Sequence, residues 1–329
     1  MARVLVVEPI HRVFDEILTN NGIDVVRAIN IGREDLIKAV SNFDALVVRS
    51  RTIVDREILE AGARGRLRVV ARAGVGLDNI DVEYARRLGI EVVNVPTAST
   101  QSVAELTIGL IIAAARMIPQ LCNKVKMGRW ERRLGIELAN KTLLIIGFGR
   151  IGRRVAEIAK AIGMRVLAYD IVDIREEALK RGVEVVDDLC KGLKEADVVS
   201  LHVPLTPQTR YMINREIFEK CFKKGAILVN TSRGAVIKTE DLLWALDNGI
   251  LSAVAIDVLE HEPPATEIEL RLVRHPRVVV TPHIGAQTVE AQERIARELA
   301  YILLNLLSGK ALSTELRYKT SQPNALSST

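Results

Sequence analysis

Between Thr142 and Asp170 the chain constrains its own local geometry more tightly than anywhere else. An apolar run, Thr142-Leu-Leu-Ile-Ile146, enters Gly147-Phe148-Gly149-Arg150-Ile151-Gly152. A helical pattern follows, and a second apolar run, Arg165-Val-Leu-Ala-Tyr169, ends on Asp170. Without side chains at Gly147 and Gly149 the backbone can turn sharply and approach another group closely, while Gly152 lets helix and strand pack together. The N–H groups that open a helix have no intrahelical partner and favour an anion such as a pyrophosphate. A carboxylate at the end of the second strand suits both hydroxyls of a ribose. A lone Gly-x-Gly-x-x-Gly turn arises easily by chance. With strand, turn, helix, second strand and terminal acid in order, the stretch predicts a dinucleotide site.

This unit does not open the fold. Before it the pattern already alternates: strand Arg3 to Glu8, helix Val13 to Thr19 stopped by Gly22, strand Ile23 to Arg27, helix Asp35 to Val40, strand Ala45 to Val48. Helix Asp55 to Ala61, strand Leu67 to Ala71, a Gly74-Val75-Gly76 loop, helix Val82 to Leu88 and strand Glu91 to Val95 complete a small parallel α/β unit. Pro96 to Thr100 reads as the first crossing between domains. Ser102 to Met117 is helical but apolar nearly all round, which predicts burial on more than one side, between domains or subunits. Pro119 is expected to end that helix, and Lys124 to Arg133 to be a basic, irregular excursion.

After Asp170 a helix (Ile174 to Lys180) and strands near Val183, at Asp197 to Leu201, Ala226 to Val229, Ala253 to Ile256 and Arg277 to Val280 continue the alternation. Most run out into polar residues: His202, Asn230 to Gly234, Asp257, and Thr281-Pro-His283. The carboxyl ends of parallel strands are where open α/β sheets bind ligands. A long helix, Thr288 to Leu307, is stopped by Gly309, and Ser313 to Thr329 is polar, without period and expected to be disordered.

Composition agrees with this architecture. Hydrophobic residues make up 48% of the 329-residue chain but aromatics only 4%, so the core must be Val, Ile, Leu and Ala, as parallel sheets require. The net charge of +5 comes from 46 basic and 41 acidic residues interleaved throughout, which reads as solvated surface and argues against nucleic acid as a partner. The run Leu106 to Ala115 is too short for a membrane span, and the early charge at Arg3 argues against a signal peptide; a cytoplasmic protein is expected. Cys122, Cys190 and Cys221 lack metal-ligand spacing and are expected to be buried free thiols; no metal site is expected.

Hydride exchange with a carbonyl needs a group to orient a substrate carboxylate, an acid/base, and a group to tune it. Arg233, beside a glycine at a strand end, offers a planar fork for a carboxylate. His283, after a strand and Pro282, is the best acid/base, ahead of His11, His202, His261 and His275. Glu262 is placed to hydrogen-bond its imidazole and favour the protonated form. No Ser-His-Asp order, HExxH or CxxC suggests hydrolysis or a metal.

The motifs Val48-Arg49-Ser50-Arg51-Thr52, Arg72 to Asp81, Gly147 to Gly152 with Asp170, His202-Val203-Pro204, Asn230 to Gly234, Asp257 to Pro263 and Thr281 to Gly285 together resemble the D-isomer-specific 2-hydroxyacid dehydrogenases. Within that family they are most similar to the short D-3-phosphoglycerate dehydrogenases, over about the first 310 residues. The resemblance implies a Rossmann-type doubly wound parallel-sheet domain (99–287) that binds NAD, inserted into a smaller flavodoxin-like α/β substrate domain (1–98 and 288–329). It implies that His283 exchanges the proton, Glu262 supports it and Arg233 holds carboxylate and carbonyl. Around NAD it places Gly147, Phe148, Gly149, Arg150, Ile151, Gly152, His202, Val203, Pro204, Thr209, Thr231, Ser232 and Gly285, with Asp170 on the adenine ribose and Asp257 on the nicotinamide amide. On a small anionic 2-hydroxy or 2-oxo acid it places Arg49, Ser50, Arg51, Gly74, Val75 and Gly76, with the two arginines meeting a phosphate. It also implies a homodimer, and no feedback through the serine-binding domain that longer relatives carry. Phosphoglycerate oxidation is the expected reaction; a glyoxylate or hydroxypyruvate reductase and an NAD(H)-sensing interaction protein are the alternatives.

Overall fold

The computed structural model describes residues 1–308, in two compact units, Met1–Ser99 with Val289 onward, and Thr100–Thr288. The glycine stop at Gly309 and the tail from Ser313 lie outside the described residues.

In the first unit five parallel strands, β1 (Arg3–Val6), β2 (Asp24–Arg27), β3 (Ala45–Val48), β4 (Val69–Arg72) and β5 (Glu91–Asn94), take the order β2-β1-β3-β4-β5. That is the flavodoxin-like order. The central strand β3, Ala-Leu-Val-Val, is buried along its whole length, because helices cover both faces. Helices α1 (Val13–Asn20), α2 (Arg33–Ala39), α3 (Arg56–Ala63) and α4 (Val82–Arg87) fill the crossovers, and Asp55 and Asp81 cap α3 and α4 by accepting from Ile58 and Tyr84 N–H. The long helix Val289–Leu307 packs on α1 and buries Ala291, Ile295, Leu299 and Ile302, a stripe at helical spacing. Arg294 Nε donates to Ala98 O at 3.0 Å and Thr97 Oγ1 to Glu298 at 3.1 Å, tying this helix to the end of the sheet-bearing segment.

In the second unit helices α5 (Thr100–Arg116) and α6 (Ile118–Lys126) precede β6 (Thr142–Ile146), α7 (Arg150–Ala161) and β7 (Arg165–Tyr169). Then come α8 (Arg175–Lys180), β8 (Glu184–Val185), α9 (Leu189–Glu195), β9 (Val198–Leu201), α10 (Arg215–Cys221), β10 (Ala226–Asn230), α11 (Thr239–Asp247), β11 (Leu251–Ile256), α12 (Glu267–Arg274) and β12 (Val278–Val280). The seven strands are all parallel, in the order β12-β11-β10-β9-β6-β7-β8. The order reverses between β6 and β9, the switch point at which doubly wound sheets take their ligands. Helix α5 is apolar nearly all round because α7, β10 and β11 of its own unit receive it.

Two local expectations are corrected. Pro119 does not end helical structure: it stands in the first turn of α6, where a proline needs no N–H partner, after a 64° bend at Met117, whose φ of 53° is left-handed. The expectation of three buried free thiols also fails. Cys190 and Cys221 form a disulfide, with Cα atoms 4.7 Å apart, because α9 and α10 pack side by side, and Cys122 is exposed. No single described helix is long and apolar enough to cross a membrane.

Candidate active site

The glycine turn is built as its sequence requires. Gly147 has a φ of 93°, and a Cβ there would meet the His202 carbonyl oxygen at 2.6 Å. A Cβ on Gly152 would run into the Gly147 carbonyl, so α7 can lie this close to the turn only with glycine there. Gly149 has open space beside it, where the N-terminus of α7 begins. Asp170 closes the turn: one carboxylate oxygen accepts the Phe148 N–H at 2.7 Å and the other the Val172 N–H at 3.3 Å. The residues therefore fit a dinucleotide, with backbone approach at the glycines, helix N–H groups for pyrophosphate and a carboxylate at the ribose end. Arg150 is exposed, Ile151 half-buried and Phe148 buried in the core beneath.

The loops after β9 and β10 are tied internally. His202 Nε2 lies 2.8 Å from Ser200 Oγ, and burial pushes the imidazole pKa down to about 3, so it is neutral at any ordinary pH. Thr209 Oγ1 donates to Pro204 O at 2.6 Å and fixes the loop that also carries Val203. The Thr231 hydroxyl is 2.9 Å from that of Thr107 on α5, and Ser232 Oγ donates to Asn230 Oδ1 at 2.7 Å. Asn230 Nδ2 in turn donates to Arg233 O at 2.9 Å. Asn230 thus shapes the turn that presents Arg233, whose guanidinium donates to Ser232 O at 2.7 Å.

Beyond β11 and β12 the structure brings Glu262 and His283 together. His283 Nδ1 is 2.7 Å from Glu262 Oε2, and the two side chains remain 39% and 38% exposed, accessible to a ligand. Burial alone would raise the Glu262 carboxyl. The hydrogen bond and charge of His283, the Leu259 N–H and the charge of Arg233 outweigh that and hold it below the usual carboxylate range. With Nδ1 committed to Glu262, Nε2 is the nitrogen left for exchange. His283 itself sits at a φ of 54°, a left-handed conformation that neighbouring contacts must enforce. Asp257 does so: its buried carboxylate accepts from Thr281 Oγ1 at 2.6 Å, Ile284 N–H at 2.8 Å and Gly285 N–H at 2.9 Å, while its carbonyl accepts the His283 N–H at 2.9 Å. The Asp257 carboxylate thus holds the loop that aims the histidine.

Sequence reasoning missed Glu269. Its carboxylate, 2% exposed, takes His261 N–H and Nδ1 on one oxygen, and Ala265 N–H, Thr266 N–H and Thr266 Oγ1 on the other, at 2.9 to 3.0 Å. It clamps both sides of Glu262. The available signal was Thr266-x-x-Glu269, a capping box.

In the first unit, β3 ends in Arg49, Ser50 and Arg51, and β4 in Gly74, Val75 and Gly76. Arg49 is half-buried and donates to Pro9 O at 3.2 Å; exposed Arg51 donates to Asn30 Oδ1 at 3.3 Å. Burial pulls the Arg49 pKa below its usual value, opposed by the charge of Glu8. Asn94 at the end of β5 donates to Val75 O at 2.5 Å, which orients the peptide after Val75. Among the described residues no group of three or more His, Cys, Asp or Glu could hold a metal ion.

A doubly wound sheet with a glycine turn at its switch point defines a dinucleotide-binding fold, and an imidazole–carboxylate pair lies beside an arginine beyond other strands. Residues 108–285 match the NAD-binding domain of the D-isomer specific 2-hydroxyacid dehydrogenases, and the chain belongs to this family. It is 46% identical over 312 residues to a D-3-phosphoglycerate dehydrogenase of Methanocaldococcus jannaschii, covering 94% of this chain and 58% of that protein. It is also 46% identical over 299 residues to a hydroxypyruvate reductase of Thermotoga maritima, covering 90% of this chain and 95% of that one. The NAD-bound crystal structure of 3-phosphoglycerate dehydrogenase from Entamoeba histolytica superposes with a TM-score of 0.80 at 29% identity, over 96% of this chain and 98% of that one. The chain thus spans little more than half the length of the M. jannaschii protein.

Proposed function

We propose that the protein is an NAD-dependent D-3-phosphoglycerate dehydrogenase, oxidising the C2 hydroxyl to give 3-phosphohydroxypyruvate. The reading rests above all on the 2.7 Å contact between His283 Nδ1 and Glu262. That contact leaves Nε2 to take the hydroxyl proton, with Glu262 stabilising the imidazolium that results. Bound NAD supplies the acceptor for the hydride leaving C2. Arg233 holds the substrate carboxylate and polarises the oxygen at C2; the amides of Val75 and Gly76 assist at the carboxylate. Arg49 and Arg51 take the 3-phosphate, for which two guanidiniums are suited. On this reading 1–98 with 288–329 is the substrate domain and 99–287 the NAD domain.

The test of substrate class is Arg51→Ala assayed with phosphorylated and unphosphorylated substrates. The expected outcome is a raised KM for 3-phosphohydroxypyruvate with hydroxypyruvate spared; equal effects on both refute it. The similarity to a hydroxypyruvate reductase over nearly its whole length favours that reaction as the second reading, and the same substrate pair separates the two.

We further read the protein as a cytoplasmic homodimer, without nucleic acid or membrane as a partner. Support for the dimer comes from Met127, Trp130 and Leu134, which are 64%, 79% and 99% exposed just after α6. Sedimentation of the intact protein tests the dimer, and fractionation following NADH-linked activity tests the location.

A further inference from the structure

The Arg49–Thr52 loop is held from two places in the first unit, and one contribution is unusual. Glu8, just beyond β1, has a carboxylate only 5% exposed. It accepts the Arg49 N–H at 2.8 Å and the Thr52 N–H at 3.0 Å on one oxygen, and the Arg51 N–H at 3.3 Å on the other. Arg51 Nε lies 3.6 Å from the same carboxylate. From the opposite side Asn79 Nδ2 donates to the Arg49 carbonyl at 2.8 Å and the Thr52 carbonyl at 2.7 Å. Asn79 is itself fixed, since its carbonyl accepts the Val54 N–H at 2.8 Å.

Three successive-turn amides converging on a point form a site for an external anion in many loops. Here an internal carboxylate occupies it. An incoming phosphate therefore cannot use the amides of residues 49, 51 and 52, and meets the two guanidiniums and Ser50 instead. The buried carboxylate also offsets one of the two arginine charges, so that both can be held close together before any ligand arrives.

We propose that Glu8 and Asn79 are positioning residues that pre-form the Arg49–Thr52 loop, so that a phosphate on the substrate is recognised by arginine side chains and not by loop amides. This rests on the reading that Arg49 and Arg51 receive the phosphate. The prediction differs from that for a merely structural pair, whose loss would weaken turnover of all substrates alike.

The experiment is steady-state NADH oxidation by the intact protein with 3-phosphohydroxypyruvate and with hydroxypyruvate, for Glu8→Gln, Asn79→Ala and Arg51→Ala. Glu8→Gln keeps the shape but turns an amide donor toward N–H groups. It should raise KM for the phosphorylated substrate about tenfold or more, with kcat and the hydroxypyruvate KM changed less than about threefold. Asn79→Ala should shift the same parameter in the same direction, and it carries the test if Glu8→Gln does not fold. If Arg51→Ala is selective for the phosphorylated substrate while both positioning variants are neutral or affect both substrates equally, the positioning role is overturned and the phosphate reading stands. If Arg51→Ala itself shows no selectivity, the phosphate reading falls and the inference falls with it.

Discussion

Replacing Glu269 by glutamine should remove a large, pH-dependent part of the stability of the Thr100–Thr288 unit. The carboxylate is almost wholly buried, a setting that by itself raises a carboxyl pKa. The N–H groups of Thr266 and Ala265, then the His261 ring and His261 N–H, reverse that and bring it to about 2, against an ordinary value of 4.5. A depression of that size corresponds to roughly 3 kcal/mol at neutral pH. Because the folded pKa is the lower one, this stability is fully present above about pH 4.5 and is lost as pH falls toward 2. Urea unfolding of wild type and Glu269→Gln at pH 7 should differ by roughly 3 kcal/mol, and the gap should shrink to less than half by about pH 3. A gap under about 1 kcal/mol at pH 7, or one that does not narrow in acid, refutes the reasoning. The same variant frees the segment from His261 to Thr266, so kcat should fall as Glu262 loses its fixed approach to His283.

The remaining expectations concern the chemistry and the cofactor. His283→Ala should lower kcat by about 10²–10⁴, the usual worth of a positioned acid/base, and a smaller loss moves that role to another group. Asp170, with apolar and exposed Ile171 beside it, should repel a 2′-phosphate, so kcat/KM with NADP should fall well below that with NAD; equal efficiencies refute this. Gly152→Ala drives a Cβ into the Gly147 carbonyl, so NADH affinity measured by fluorescence titration should drop with at least about 1 kcal/mol of stability. Unchanged binding and stability would mean that the turn relaxes at no cost.

What the sequence determined by itself was whatever is written in local pattern. The β6–glycine turn–α7–β7 unit was legible because strand, turn and helix each follow from neighbouring residues. The parallel class was legible because a strand covered on both faces must be continuously apolar, as Thr142-Leu-Leu-Ile-Ile146 and Ala45-Leu-Val-Val48 are. Arg233 and His283 stood out as polar residues just beyond apolar strands, and Glu262 as a carboxylate suited to hydrogen-bond the imidazole. Helices α9 to α12 were not drawn from the pattern, since they are short and draw much of their stability from packing on the sheet. Tertiary structure alone decided the long-range pairings. Glu8 meets a loop more than forty residues away, Asp257 uses its carboxylate to hold the His283 loop, Glu269 brackets Glu262, and Cys190 finds Cys221. None of these has a period or spacing to read, because each depends on which loops the sheet order brings side by side. Local pattern singled out Arg233, Glu262 and His283 as candidates; only the fold supplied the buried carboxylates of Asp257, Glu269 and Glu8 that hold the candidate loops in place.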